Sequence, residues 1–86
     1  MADDQQLTRT IQDYITREYE DALQGTLVDA DTPLISAGLI DSLSMVSLKM
    51  FLEQTYHVRI PDREASAEAF DSVSAIVQML RRLGVA

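Results

Sequence analysis

The sequence holds no cysteine, no tryptophan, one histidine, two prolines and three glycines in 86 residues. Without cysteine there is neither a disulfide framework nor a thiolate metal site, and a lone His57 cannot anchor a histidine cluster. Any thiol chemistry must therefore be brought to the protein from outside. Basic residues are scarce as well, with seven Lys and Arg against fourteen Asp and Glu. That balance leaves no surface for neutralising phosphates and argues against nucleic-acid binding. Nowhere do about 18 apolar residues run together, as a membrane-spanning helix needs. The opening "MADDQQLTRT" also lacks the basic start and apolar stretch of a signal peptide, so a cytoplasmic location is expected.

What is present is an ordinary globular composition, 47% hydrophobic and 24% charged, despite the net charge of -7. One domain spanning 1–86 is expected. A domain of this size buries only about 60–65% of the surface its unfolded chain exposes, so its core is small. The charge is lopsided: residues 1–41 carry nine acids and two bases, whereas residues 42–86 carry five of each.

Leu7, Ile11, Tyr14, Ile15 and Ala22 recur along one side of a helix running from about residue 5 to 23, with Gly25 as its stop. The next stretch, "TLVDADTPLISAGLID", holds Pro33 and Gly38 and has no helical period, so it is a long loop. Leu27, Val28, Leu34, Ile35, Leu39 and Ile40 are available to pin it to the core. A second helix spans about 42 to 55. After it, "YHVRIPD" alternates, with Val58 and Ile60 inward, and meets Pro61, which reads as an extended connection. "REASAEAF" allows one short turn of helix ending near Phe70. Asp71 or Ser72 then caps a last helix with Val73, Ile76, Val77, Leu80 and Leu83 on one face, closed by Gly84. The fold class expected is all-α: a small four-helix bundle of three main helices and one short one.

The second helix has two apolar faces. At about 100° per residue from Leu43, the residues Phe51, Leu48, Leu52 and Met45 spread over roughly 80° to 200°, wide enough for a core stripe. Leu43, Val46 and Met50 fall in a separate band at roughly 300° to 360°. Lys49 and Glu53 flank this band on one side, Ser47 and Gln54 on the other. It either packs beneath the long loop or forms a contact strip for another protein. The strip begins beside Ser42. A serine at the first helical position has its hydroxyl near unpaired N–H groups and the positive end of the helix dipole, where a phosphate is stabilised. By residue type alone, a plain N-cap at Ser42 or Asp41 is the better reading, and spacing does not decide between the two.

The stretch "DTPLISAGLIDSLSMVSLKMFLEQTYHVRIP" resembles the centre of the acyl carrier protein family, whose signature is Asp-Ser-Leu at the mouth of the second helix. Leu-x-x-x-Gly-Leu and a long loop precede the tripeptide; Ile-Pro and the closing helix "FDSVSAIVQML" follow it. The resemblance implies that Ser42 carries a 4'-phosphopantetheine arm, attached through a phosphodiester by a phosphopantetheinyl transferase that draws on coenzyme A. It implies that Asp41 helps that enzyme place its metal and coenzyme, and that Leu43, Val46 and Met50 dock partner enzymes. It also makes Leu52, Ile60, Phe70 and Val73 candidate neighbours of a sheltered acyl group, where a plainer reading makes them core.

Carriers of fatty acid synthesis usually have acidic residues two and five positions after the modified serine; here both are serines, Ser44 and Ser47, and Lys49 adds a positive charge. Surface charge governs encounter and discrimination. The resemblance therefore implies a free-standing acyl carrier serving a specialised pathway, with an aminoacyl, D-alanyl or peptidyl carrier as the alternative. The partners implied are the transferase, an acyl- or aminoacyl-activating ligase, and a downstream acyltransferase or synthase, with the carrier itself a monomer. From another class, an arm-less acidic helical adaptor would use the same strip. No catalytic residue and no metal site is expected. A serine hydrolase needs a histidine within hydrogen-bond reach, and His57 lies beyond the far end of a helix that puts roughly 20 Å between it and Ser42. The acids Asp29 and Asp31 lack EF-hand spacing.

Overall fold

The computed structural model describes residues 4–25 and 28–85, with backbone alone at Asp4, Ala22 and Ser42. Leu27 lies outside the described residues, as do the side chains of Ala22 and Ser42. The described residues are all-helical and contain no strand. Three helices of two turns or more, α1 (Asp4–Glu18), α3 (Ser42–Tyr56) and α4 (Val73–Arg82), are joined by a single-turn α2 (Glu20–Leu23).

The continuous first helix expected from the periodicity is broken at Tyr19. Tyr19 adopts φ -119° and ψ 29°. Its N–H still donates to the Ile15 carbonyl at 3.0 Å, and its carbonyl accepts from Leu23 at 2.9 Å. The hydrogen-bond ladder is bent there, not ended, so Leu23 still reaches the core. Gln24 then takes the left-handed conformation with φ 49° and closes α2.

The core draws on every helix. Leu7, Ile11 and Ile15 come from α1, Leu48 and Leu52 from α3, and Val73, Ile76, Val77, Met79 and Leu80 from α4. The closest backbone pairing between the longer helices is α1 against α4. Side chains tie α3 in: the Tyr14 and Phe51 rings stack with centroids 3.9 Å apart and planes 16° from parallel.

The short third helix expected up to Phe70 is replaced by two separate turns at residues 62–64 and 67–70. Pro61 opens the first, its carbonyl accepting from Ala65 at 3.1 Å. The second restarts at Ser66, whose hydroxyl oxygen accepts from the Ala69 N–H at 3.1 Å. A serine that caps its own downstream backbone competes with helix continuation, which explains why the two turns do not fuse. Of the two candidate caps for the last helix, Ser72 takes the position and accepts from the Ala75 N–H at 3.1 Å.

The long loop is pinned as expected by Leu34 and Ile40, which are buried, and by Val28, Ile35 and Leu39, which are half-buried against the core. Beyond α3, Ile60 is buried and its N–H donates to Glu53 Oε2 at 2.8 Å, while Val58 is only half-buried. No helix among the described residues is long and apolar enough to cross a membrane.

Candidate functional site at the mouth of the third helix

Helix α3 starts at Ser42, and the choice between two caps is resolved: Asp41 is the N-cap. Its backbone is extended, with φ -97° and ψ 179°, and Oδ1 accepts from the Ser44 N–H at 2.8 Å. That backbone donor, followed by the Ser44 hydroxyl, holds the Asp41 carboxyl below its ordinary range. Asp41 thus holds the cap position, and Ser42 is the first residue of the helix.

The first three turns of α3 sort their side chains as the helical wheel predicts. Leu48 and Leu52 are fully buried, whereas Leu43 is 81% exposed and Val46 and Met50 are each 53% exposed. The second band therefore does not lie beneath the loop. Met45 and Phe51, assigned to the core stripe, are half-buried at its margins. An open groove of about 290 Å³, lined by Tyr14, Ser47, Met50, Phe51 and Gln54, runs on from the strip toward α1. Lys49 sits 3.5 Å from Asp62 in a solvent-exposed ion pair of little energetic weight.

Sequence reasoning missed Tyr19. Its hydroxyl donates to the Ser44 carbonyl at 3.0 Å, holding the first turn of α3 from the α1 side. Burial, and then the neighbouring Tyr14, raises its phenol pKa, so it stays a donor at neutral pH. Tyr19 follows Ile15 at i+4, so the helical period reads it as one more residue at the edge of the apolar face, and nothing in the pattern marks its bond to α3. Tyr19→Phe is expected to cost about 0.5–1.5 kcal/mol, the net value of one such bond. For a chain of this size that is a fall of several degrees in Tm, readable by thermal melting.

The other singled-out residues lie apart from this mouth. His57 is an exposed left-handed C-cap at the far end of α3. Asp29 Oδ1 accepts from the Asp31 N–H at 2.9 Å and the Thr32 hydroxyl at 3.0 Å, so its carboxylate closes a turn. Leu52, Ile60, Phe70 and Val73, candidates for sheltering an acyl chain, are at most 2% exposed and belong to one core.

The carboxyls of Asp29, Asp41 and Asp71 are all held below the carboxylate range by hydrogen bonds, the largest contributions coming from the Asp31 N–H, the Ser44 N–H and the Ser36 hydroxyl respectively. A folded pKa below the unfolded value of about 3.9 gives stability that is complete above that pH and lost as pH falls through the lowered folded value. Melting temperature should therefore drop on acidification below about pH 4. Asp41→Asn, which keeps a capping oxygen but cannot titrate, should drop less across the same range.

A helical bundle with a serine as the first residue of an aspartate-capped helix, beside an open apolar strip and in a chain without a thiol, has the build of a carrier domain. The family model described as "Phosphopantetheine attachment site" matches residues 6–80, and the chain belongs to that family. Its members are carriers, not enzymes, and the covalent cofactor they take is 4'-phosphopantetheine. The chain is also similar to the D-alanyl carrier proteins of Streptococcus pyogenes serotype M5 (strain Manfredo) and serotype M1. Each is 36% identical over 53 residues, covering 62% of this chain and 67% of the relative.

The local structure fits such a group. Asp41 and Leu43, the residues before and after Ser42, are both exposed, so the mouth of α3 is open to solvent on both sides of that position. When bound, the group supplies the thiol on which cargo is held as a thioester.

Proposed function

We propose that the chain is a single-domain carrier, 1–86, whose Ser42 hydroxyl accepts 4'-phosphopantetheine from coenzyme A. The serine oxygen forms the new bond to phosphorus, adenosine 3',5'-bisphosphate leaves, and the hydroxyl proton passes to a base of the transferase. The observation that carries this reading is the mouth of α3, where Asp41 performs the capping and Ser42 opens the helix. Asp41 also helps the transferase place its metal and coenzyme, and Leu43, Val46 and Met50 form the docking strip.

For the cargo there are two alternatives: an acyl group of a specialised pathway, or an aminoacyl group such as D-alanine or a peptidyl group. The likeness to D-alanyl carriers favours the second. So does the full burial of Leu52, Ile60, Phe70 and Val73, which suits a small cargo held outside the bundle. The near-neutral surface of α3, with Ser44, Ser47 and Lys49, points the same way. The partners are then the phosphopantetheinyl transferase, an amino-acid-activating ligase and an acceptor-side transferase, met in turn by a monomeric, cytoplasmic carrier.

The test has two stages, both read by intact mass. Incubation with coenzyme A, magnesium and a broad-specificity transferase should add one phosphopantetheine, mapped to Ser42. The loaded chain is then offered ATP with D-alanine and a D-alanine-activating ligase, or with medium-chain fatty acids and an acyl ligase. Loading by fatty acid alone would reverse the cargo assignment. No phosphopantetheine on a folded sample would favour the arm-less adaptor.

A further inference from the structure

The second half of the long loop is held by one residue just ahead of α4. The N–H groups of Ile35 and Ser36 both donate to Asp71 Oδ1 at 2.8 Å. The Ser36 hydroxyl donates to Asp71 Oδ2, and the Leu34 N–H donates to the Asp71 carbonyl at 2.6 Å. A carboxylate suits this position because both oxygens accept and charge-assisted bonds are the stronger kind. The Ser36 hydroxyl, followed by its N–H, holds the Asp71 carboxyl below its ordinary range.

The grip is passed on toward α3. The Leu34 carbonyl accepts from Leu39 at 2.9 Å and Ile40 at 3.0 Å, and the Ile35 carbonyl accepts from Gly38 at 3.0 Å. Gly38, with φ 77°, makes the reversal that lets the loop fold back on itself. Leu34 and Ile40 are buried at its two ends, and Asp41 follows at once. The loop is thus a small hydrogen-bonded knot with Asp71 at one end and the cap of α3 at the other. Asp41 and Leu43 are exposed, so the mouth of α3 lies at the margin of the core; the knot holds it on the loop side, and the Tyr19 bond to the Ser44 carbonyl holds the first turn of α3 on the other.

We propose that Asp71 is a positioning residue for the modification of Ser42: by anchoring residues 34–40 it presents the mouth of α3 to the transferase in one geometry. This rests on the reading of Ser42 as the attachment residue. A nucleophile displaced by about 1 Å can lose on the order of a hundredfold in rate, so a loosened knot is felt in the reaction before it is felt in the fold.

The test compares wild type with Asp71→Ala, Asp71→Asn and Ser36→Ala. Phosphopantetheine transfer from coenzyme A is followed by intact mass to give kcat and KM, alongside thermal melting and amide hydrogen exchange at Gly38, Leu39 and Ile40. Asp71→Ala is expected to lower kcat/KM by about ten- to a hundredfold with helical circular dichroism retained and faster exchange at those three amides. Asp71→Asn, which keeps one acceptor oxygen, should recover part of the rate. Faster loop exchange with transfer at the wild-type rate overturns the proposal. If Asp71→Ala fails to fold, Ser36→Ala carries the test: slower transfer with a normal melt supports positioning, and an unchanged rate rejects it. Wild type that takes no adduct at Ser42 brings down the attachment reading itself, an outcome distinct from equal labelling of wild type and variants.

Discussion

Ser42→Ala is expected to take up no phosphopantetheine from coenzyme A while keeping its helical circular dichroism and most of its thermal stability. The stability half of this expectation follows from the cap. Had Ser42 capped α3, its loss would cost about 0.5–2 kcal/mol; Asp41 caps instead, through its bond to the Ser44 N–H. Alanine is also the best helix former, so the first helical position gains propensity as it loses its hydroxyl. The chemical half is all or none, because no other side chain at that position supplies the oxygen. Ser44 and Ser47 lie two and five residues further along the same helix. An adduct on either in the variant would sink the assignment of Ser42.

Val46→Glu and Met50→Glu should each reduce charging by the partner ligase about tenfold or more, with stability within about 0.5 kcal/mol of wild type. Both side chains are half open to solvent while Leu48 and Leu52 on the same helix are fully buried. A carboxylate at either position therefore leaves the core alone. It removes an apolar contact from the proposed docking strip and adds a charge the partner must desolvate, and the few contacts that dominate an interface cost more than about 1–2 kcal/mol when lost. Kinetics of ligase charging beside thermal melts of the same samples separate the two effects. A melt lowered by several degrees with unchanged charging would show that the band supports the fold and not the partner.

The strip was legible because it is periodic: two apolar bands on one helix leave a mark at about 100° per residue that no tertiary contact is needed to read. The same holds for Leu7, Ile11 and Ile15 on α1 and for the apolar face of α4. The bend at Tyr19 was not legible, since the apolar period carries through it to Leu23 and the hydrogen-bond ladder does too. The residues from Arg63 to Phe70 have helix-forming composition, and only the local bond from Ser66 shows why they stop as turns. Asp71 illustrates a third limit. It read as a candidate cap, a role set by neighbours a few residues away, whereas its actual partners are the backbone of Ile35 and Ser36, which no residue-type pattern advertises.

The pairing of α1 with α4 also bears on how the protein is born. These two helices come from opposite parts of the sequence, yet they make the closest backbone contact between long helices and share the most buried side chains. A nascent chain emerging at about 5–20 residues per second exposes Leu7, Ile11 and Ile15 well before the helix that covers them exists. Closing so long a loop costs little more free energy than closing a shorter one, but it delays the contact. Folding therefore waits for the ribosome to finish α4, and until then the apolar side of α1 is the surface a chaperone would meet.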